Sequence, residues 1–148
     1  MKVNVFKTIF ILIAVVFLNN CNNSFNHLLG GKSSPVVVSS VISFSSIDSN
    51  SVIMSWQPAN DKNTQSSNLD YMVVYSETES DVSVINNYLD LPPSVVKETV
   101  WHKYNSQHQI TGLTTGVKYY FNVIVKNKDN KFAIYKSTDV TPDDFISP

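Results

Sequence analysis

Arginine is absent from this chain, and all 11 of its cationic residues are lysines. Beyond Cys21 there are 9 lysines against 12 aspartates and glutamates, which gives a net charge of −3. Nucleic-acid-binding proteins usually carry a basic patch in which arginine side chains contact phosphates or guanines. We therefore expect no nucleic acid among the partners of this protein.

Cysteine occurs only once, so the chain cannot form an intramolecular disulfide. Its 148 residues are 43% hydrophobic and 16% charged. A chain of this length and composition supports one domain of ordinary size, and hardly two. The stability of that domain must come from its apolar core alone.

No uninterrupted apolar run reaches the ~20 residues that a membrane-spanning helix requires. The longest run covers residues 9–18 and follows two lysines, Lys2 and Lys7. A positive start and an apolar core of roughly 7–15 residues are typical of a secretory signal peptide. The alternative is an uncleaved signal anchor over residues 3–18, although Asn4 and Lys7 interrupt that stretch.

The single cysteine follows this run in the sequence Leu18-Asn-Asn-Cys21, which resembles the lipobox of bacterial lipoproteins. Asn20 occupies the position where that motif usually has glycine, alanine or serine. The resemblance implies that residues 1–20 are a signal peptide and that Cys21 becomes the first residue, alkylated by diacylglycerol. It also implies attachment to a lipid membrane of the bacterial cell envelope, on the extracytoplasmic side.

The next residues have the composition of a linker. Residues 22–35 contain asparagines, serines, two adjacent glycines and a closing Pro35, without sustained hydrophobic periodicity. This composition predicts a flexible tether, so residues 21–35 would join the lipidated cysteine to the domain. We place the domain at residues 36–142 and a C-terminal tail at 143–148.

Short strand-like runs recur throughout the predicted domain, separated by turn residues and without long helical periodicity. About seven short strands in roughly 100 residues are typical of an immunoglobulin-like sandwich. We therefore predict an all-β fold, an antiparallel β-sandwich of about seven strands. The predicted strands cover residues 41–47, 52–56, 69–75, 95–104, 107–110, 118–126 and 132–140.

One connection between these strands has a helical pattern instead. Spacings of three and four residues, which place side chains on one helix face, relate Asp81, Val82, Ile85, Tyr88 and Leu89. Two consecutive prolines, Pro92 and Pro93, end the pattern. We predict one short helical turn near residues 81–89.

Leu113, followed six residues later by Tyr119 and then by alternating apolar residues, resembles the signature of the fibronectin type III family around its strand F. Trp56 and Tyr71 match the tryptophan of strand B and the tyrosine of strand C in that family. The resemblance covers residues 36–142. It implies that these four residues belong to the structural core, and that the Tyr119 hydroxyl bonds to upstream backbone in a tyrosine corner.

The domain has no motif for catalysis or metal binding. His102 and His108 are its only histidines, whereas a zinc site needs three or four ligands. A nucleophile-elbow motif is also missing. We therefore expect no metal, no cofactor and no enzymatic activity.

Two polar loops are candidate binding sites, because sandwich domains of this family usually bind partners through end loops or a sheet face. The first covers residues 59–68 and includes Asn63; the second covers 127–131 and includes Asp129. The second resembles a hairpin of exported bacterial modules, in which a glycine stands at the position of Asp129. Without that glycine, the turn must place an aspartate or asparagine at positive φ.

Trp101 and Tyr104 are the conspicuous aromatic residues without a clear place in the core. They either pack under the helical turn or form an exposed platform, since aromatics are enriched where interfaces bury anchors. The expected function is a non-enzymatic recognition module for a protein or glycan partner. The alternative is a structural spacer or a subunit of an envelope protein assembly.

Overall fold

The computed structural model describes residues 32–143, and from residue 33 onward they belong to one compact unit. This part of the chain contains nine strands, one five-residue α-helix, α1 (Glu79–Ser83), and a 3-10 turn at Ser66–Asn68. The strands are β1 (Ile42–Ser45), β2 (Ser51–Trp56), β3 (Asp70–Ser76), β4 (Val96–Lys97), β5 (His102–Lys103), β6 (Gln107–Thr111), β7 (Tyr119–Lys126), β8 (Phe132–Ile134) and β9 (Thr138–Val140).

All strand pairs are antiparallel, and the strands form two sheets. The first sheet has the order β1-β2-β6. The second has the order β4-β3-β7-β8, with β5 also paired to β3 and β9 also paired to β7. The predicted all-β antiparallel sandwich is therefore confirmed, with nine short strands in place of about seven.

The larger number of strands arises because two predicted strands are interrupted. Between β4 and β5, the Thr99 hydroxyl accepts a hydrogen bond from the Val73 amide at 2.9 Å, so a side chain replaces the backbone in the ladder. Between β8 and β9, the Lys136 amide leaves β7 and donates to the Ser40 carbonyl at 3.1 Å. At both places the chain stops pairing continuously, and at Thr99 it bends.

The main core lies between the sheets and follows from strict alternation along the strands. From β7, Tyr119, Phe121, Val123 and Val125 point into it, which are the four residues that alternation predicted for one face. Trp56, Tyr71 and Leu113 are buried in the same core. The Tyr119 hydroxyl accepts a hydrogen bond from the Thr114 amide at 3.1 Å, which is the arrangement of a tyrosine corner.

A second apolar cluster covers the outer face of the six-stranded sheet. Residues 77–95, which we call the cover, place Val82, Ile85 and Tyr88 against sheet residues that include Ile124. Sheet strands that are buried on both faces carry apolar residues without alternation. The run Met72-Val73-Val74 in β3 has this property, since all three residues are buried.

The helical turn lies in the cover but begins and ends earlier than residues 81–89. Helix α1 ends at Ser83, because Val84 is already extended with φ −129° and ψ 94°. β-Branched residues and asparagine are weak helix formers, and they fill positions 84–87. Val82, Ile85 and Tyr88 still face the sheet, whereas Leu89 is 74% exposed.

One polar side chain fastens the cover to the sheet. Asn122 of β7 is fully buried, and its Nδ2 donates a hydrogen bond to the Val82 carbonyl at 2.7 Å. Its Oδ1 accepts from the Val123 amide at 2.7 Å. Asn122 therefore satisfies one polar group of the cover and one of the sheet where water has no access.

Three of the predicted segments lie largely outside the described residues. The signal peptide at 1–20, Cys21 and most of the tether are among them, as is the tail except for Asp143. The last tether residues are described: Pro35 is buried, and the Ser33 carbonyl accepts a hydrogen bond from Asn127. Among residues 32–143, no helix is long and apolar enough to cross a membrane.

Candidate functional site

Three connections meet at one end of the sandwich, which we call the loop end: residues 57–69 between β2 and β3, 104–106 between β5 and β6, and 127–131 between β7 and β8. Contacts between them are direct. The Tyr104 amide donates to the Leu69 carbonyl at 3.0 Å. Both candidate loops predicted from the sequence belong to this end.

Asn127 joins the hairpin to the neighbouring loop. It is nearly inaccessible, and its Nδ2 donates to Asp61 Oδ2 at 2.9 Å and to the Ser33 carbonyl at 2.7 Å. Its Oδ1 accepts from the amides of Asp129 and Lys131, each at 3.0 Å. The hairpin also places Asn130 at φ 58°, so an asparagine takes the left-handed conformation that the turn was predicted to need.

Asp61 is a structural carboxylate of the first loop. Burial raises the pKa of its carboxyl, but hydrogen bonds from Asn127 and from the amides of Asn63 and Thr64 outweigh that effect, so the pKa lies below its ordinary value. The Asn63 amide donates to Asp61 Oδ1 at 2.8 Å. Asp61 is thus ionised at neutral pH and engaged with its own loop.

Two buried tyrosines fix the beginning of the same loop. The Tyr71 hydroxyl accepts from the Ala59 amide at 2.8 Å, and the Tyr135 hydroxyl donates to the Gln57 carbonyl. Burial raises the pKa of both phenols, so both stay protonated at neutral pH. The loop therefore starts from a rigid base in the main core.

A shallow groove of about 440 Å³ lies at the loop end. Thr64 and Asp70 contribute to its lining. The other lining residues are three amides and two lysines: Asn63, Gln65, Asn68, Lys103 and Lys128. The groove has no apolar lining residue, so it is suited to hydrogen bonding and charge rather than to an apolar anchor.

The predicted binding residues lie at different positions relative to the groove. Asn63 is exposed and lines it. Tyr104 belongs to the loop end, where it is 61% exposed with φ 46°. Asp129 is half-buried in the hairpin, and its neighbour Lys128 lines the groove instead.

Trp101 is separated from Tyr104 and belongs to the second apolar cluster. Its ring packs edge-to-face on Tyr88 with centroids 5.2 Å apart. The Lys126 ammonium lies 4.3 Å from the ring centroid, within cation–π range. Trp101 is half-buried in this position, so the two aromatics do not share one platform.

Reasoning from the sequence missed the lysines and two of the amides of the groove. Lys103 lies within the predicted strand at 95–104, and Lys128 precedes Asp129 in the predicted loop at 127–131. A usable signal was present, since Lys103 directly precedes the conspicuous Tyr104 and Lys128 lies in a predicted loop. The sequence does not show that these segments meet in the fold.

The described residues hold no group of three or more histidine, cysteine, aspartate or glutamate side chains that could bind a metal ion. His102 is exposed. His108 lies 3.6 Å from a carboxylate oxygen of Glu98, at the border between the two sheets.

Two antiparallel sheets, a tyrosine corner and loops gathered at one end define an immunoglobulin-like β-sandwich module. The fibronectin type III domain profile matches residues 38–137. The chain therefore belongs to the fibronectin type III domain family, whose members are generally non-catalytic modules.

Solved structures agree with this assignment. The twitchin kinase region from C. elegans has 19% identity and a TM-score of 0.55, and the match covers 78% of this chain but only 18% of that one. The sixth fibronectin type III domain of human fibronectin type III domain containing protein 3 has 13% identity and a TM-score of 0.55, covering 80% and 94% of the two chains. The third such domain of human KIAA0343 protein has 18% identity and a TM-score of 0.52, covering 80% and 90%. These low identities show the fold alone, and no curated protein matches the chain.

Proposed function

We propose that this protein is a non-enzymatic recognition module that binds a protein or glycan partner through its loop end. The observation that carries the proposal is the polar groove with the exposed Tyr104 at the same end. Its walls are held by Asn127, Asp61 and Tyr71, which bond backbone and side chains of the loops. Binding then requires little ordering of the loops, which favours affinity.

We also propose that Cys21 is acylated and holds the module on a membrane of a bacterial cell envelope, outside the cytoplasm. The support is in the sequence, where a signal-like apolar run ends at Leu18-Asn-Asn-Cys21. Two acyl chains hold a protein on a membrane where a single chain barely does.

The proposal is tested by capture from glycan arrays and from envelope extracts, with the full chain in a non-ionic detergent. Asn63→Ala and Tyr104→Ser should each weaken capture, because both residues are exposed at the loop end. Gln109→Ala is the matched control, since Gln109 is exposed on β6 and lies outside the groove. Capture that survives both loop-end substitutions would refute the proposed binding site.

A structural spacer or assembly subunit is the second candidate, and one observation favours it. Val36, Val38 and Val41 are each more than half exposed along the segment that leads into β1. Such a strip suits contact with another envelope protein. Capture of one envelope protein that is lost in Val38→Thr but kept in Tyr104→Ser would support this second candidate.

A further inference from the structure

Positive charge is concentrated at the loop end of a domain that is negative overall. Residues 33–143 contain 8 lysines and 11 aspartates and glutamates. Eight of the acidic residues lie away from the loop end, including Glu77, Glu79 and Asp81 of the cover. The lysines of the loop end and its flanking strand residues are five of the eight: Lys62, Lys103, Lys126, Lys128 and Lys131.

Two of these lysines line the groove together with one carboxylate, Asp70, which lies opposite Lys103 in the strand ladder. Lys103 and Lys128 are both exposed, and within residues 32–143 no carboxylate oxygen lies within 4.0 Å of either ammonium. Asp61, a half-buried carboxylate of the loop end, already accepts hydrogen bonds from Asn127 and Asn63. With two lysines and one carboxylate in its lining, the groove has a net positive charge, and a concave site of that charge attracts an anionic ligand.

The remaining lining favours a sugar over a peptide. Asn63, Gln65 and Asn68 supply amides that both donate and accept hydrogen bonds, as the hydroxyl groups of a sugar require. Protein interfaces are usually centred on apolar or aromatic anchors that fill desolvated pockets. No apolar or aromatic residue lines the groove to receive such an anchor.

We propose that the loop-end groove binds an acidic polysaccharide, with Lys103 and Lys128 contacting its sulfate or carboxylate groups and the three amides contacting its hydroxyls. This inference rests on the proposed function and specifies the ligand class of the same site. Tyr104 follows Lys103 in the chain and is 61% exposed at the same end, so its ring is accessible to a sugar face.

The test measures binding of the full chain, in a non-ionic detergent, to dextran sulfate, to alginate and to neutral dextran of matched length. Lys103→Gln and Lys128→Gln should each weaken binding to the anionic polymers about fivefold, and together about 25-fold, as expected for exposed charge contacts. Lys97→Gln is the matched control, because Lys97 is exposed on β4 and outside the groove. Its affinity should stay within about twofold of wild type, and neutral dextran should not bind.

Thermal melting of each variant separates loss of contact from loss of fold. Equal weakening by Lys97→Gln, or undiminished binding by the double groove variant, would overturn the inference. Binding of poly-L-glutamate or of anionic phosphatidylglycerol vesicles in preference to both acidic polysaccharides would also overturn it. Capture of a neutral glycan or a protein that depends on Asn63 and Tyr104 but not on the lysines would sink this inference while supporting the proposed function. Failure of every probe and extract would count against both.

Discussion

Replacing Asn122 with alanine should detach the cover from the sheet. Asn122 forms a hydrogen bond of 2.7 Å with the Val82 carbonyl and another of 2.7 Å with the Val123 amide. The substitution leaves both of these inaccessible polar groups without a partner. A buried polar group that loses its partner costs about 1–3 kcal/mol. Allowing for local relaxation, we expect unfolding free energy to fall by about 3 kcal/mol, which lowers the melting midpoint by roughly 12 °C in a domain of this size.

The assay combines thermal melting with limited chymotrypsin digestion. Cleavage near Tyr88 and Leu89 should accelerate in Asn122→Ala, because the cover opens locally before the sandwich unfolds. Asn86→Ala is the matched control, since Asn86 lies in the cover but is exposed. A melting midpoint within about 3 °C of wild type, with unchanged cleavage, would contradict the anchoring role of Asn122.

Asn122→Asp adds a dependence on pH. The buried carboxyl should have a pKa above its ordinary value, because burial disfavours its charged form. Its protonated form can donate to the Val82 carbonyl, so the variant should be most stable below about pH 4 and lose stability as pH rises through the raised pKa. Stability that instead increases with pH relative to wild type would refute this reasoning.

Three further outcomes are expected. Tyr119→Phe should lower the unfolding free energy by about 1–2 kcal/mol in urea titration, because the Thr114 amide loses its acceptor, and an unchanged midpoint would argue against the tyrosine corner. Asp61 has a lowered pKa, so its ionised carboxylate stabilises the fold above its ordinary pKa near 4, and this contribution disappears as pH falls. The difference in unfolding free energy between wild type and Asp61→Asn should therefore shrink in acid. A difference that grows below about pH 4 would refute this expectation. Palmitate labelling of the expressed protein should be abolished by Cys21→Ser, and a label that persists would rule out lipidation at that residue.

The sequence predicted the sandwich well because alternation and the pattern from Leu113 to Tyr119 are local signals. Strand β7 shows its inward face directly in the order of its residues. The cover was harder to foresee, although the run Met72-Val73-Val74 indicates burial on both sides of a strand. Helix α1 begins and ends earlier than the predicted turn at 81–89. Apolar spacing indicates which residues face the sheet, whereas backbone propensity decides where the helix ends.

The groove was predictable only in part, for a physical reason. Asn63 was named from its loop, but Lys103 and Lys128 come from segments that strand pairing brings together over long sequence distances. Trp101 and Tyr104 are three residues apart, yet one packs on Tyr88 and the other projects into solvent. Composition cannot distinguish those environments, because each depends on which element lies opposite.

The hydrogen bond from Asn127 to the Ser33 carbonyl also determines where the chain enters the domain, because it holds Ser33 at the loop end. If Cys21 is acylated as proposed, the 12 residues from Cys21 to residue 32 can reach at most about 40 Å. The groove, which lies at the end of the sandwich that Ser33 contacts, would then stay within a thin layer above the bilayer. Ligands within that layer, such as polymers of the wall or of the membrane surface, would be accessible, whereas a distant particle would have to penetrate it.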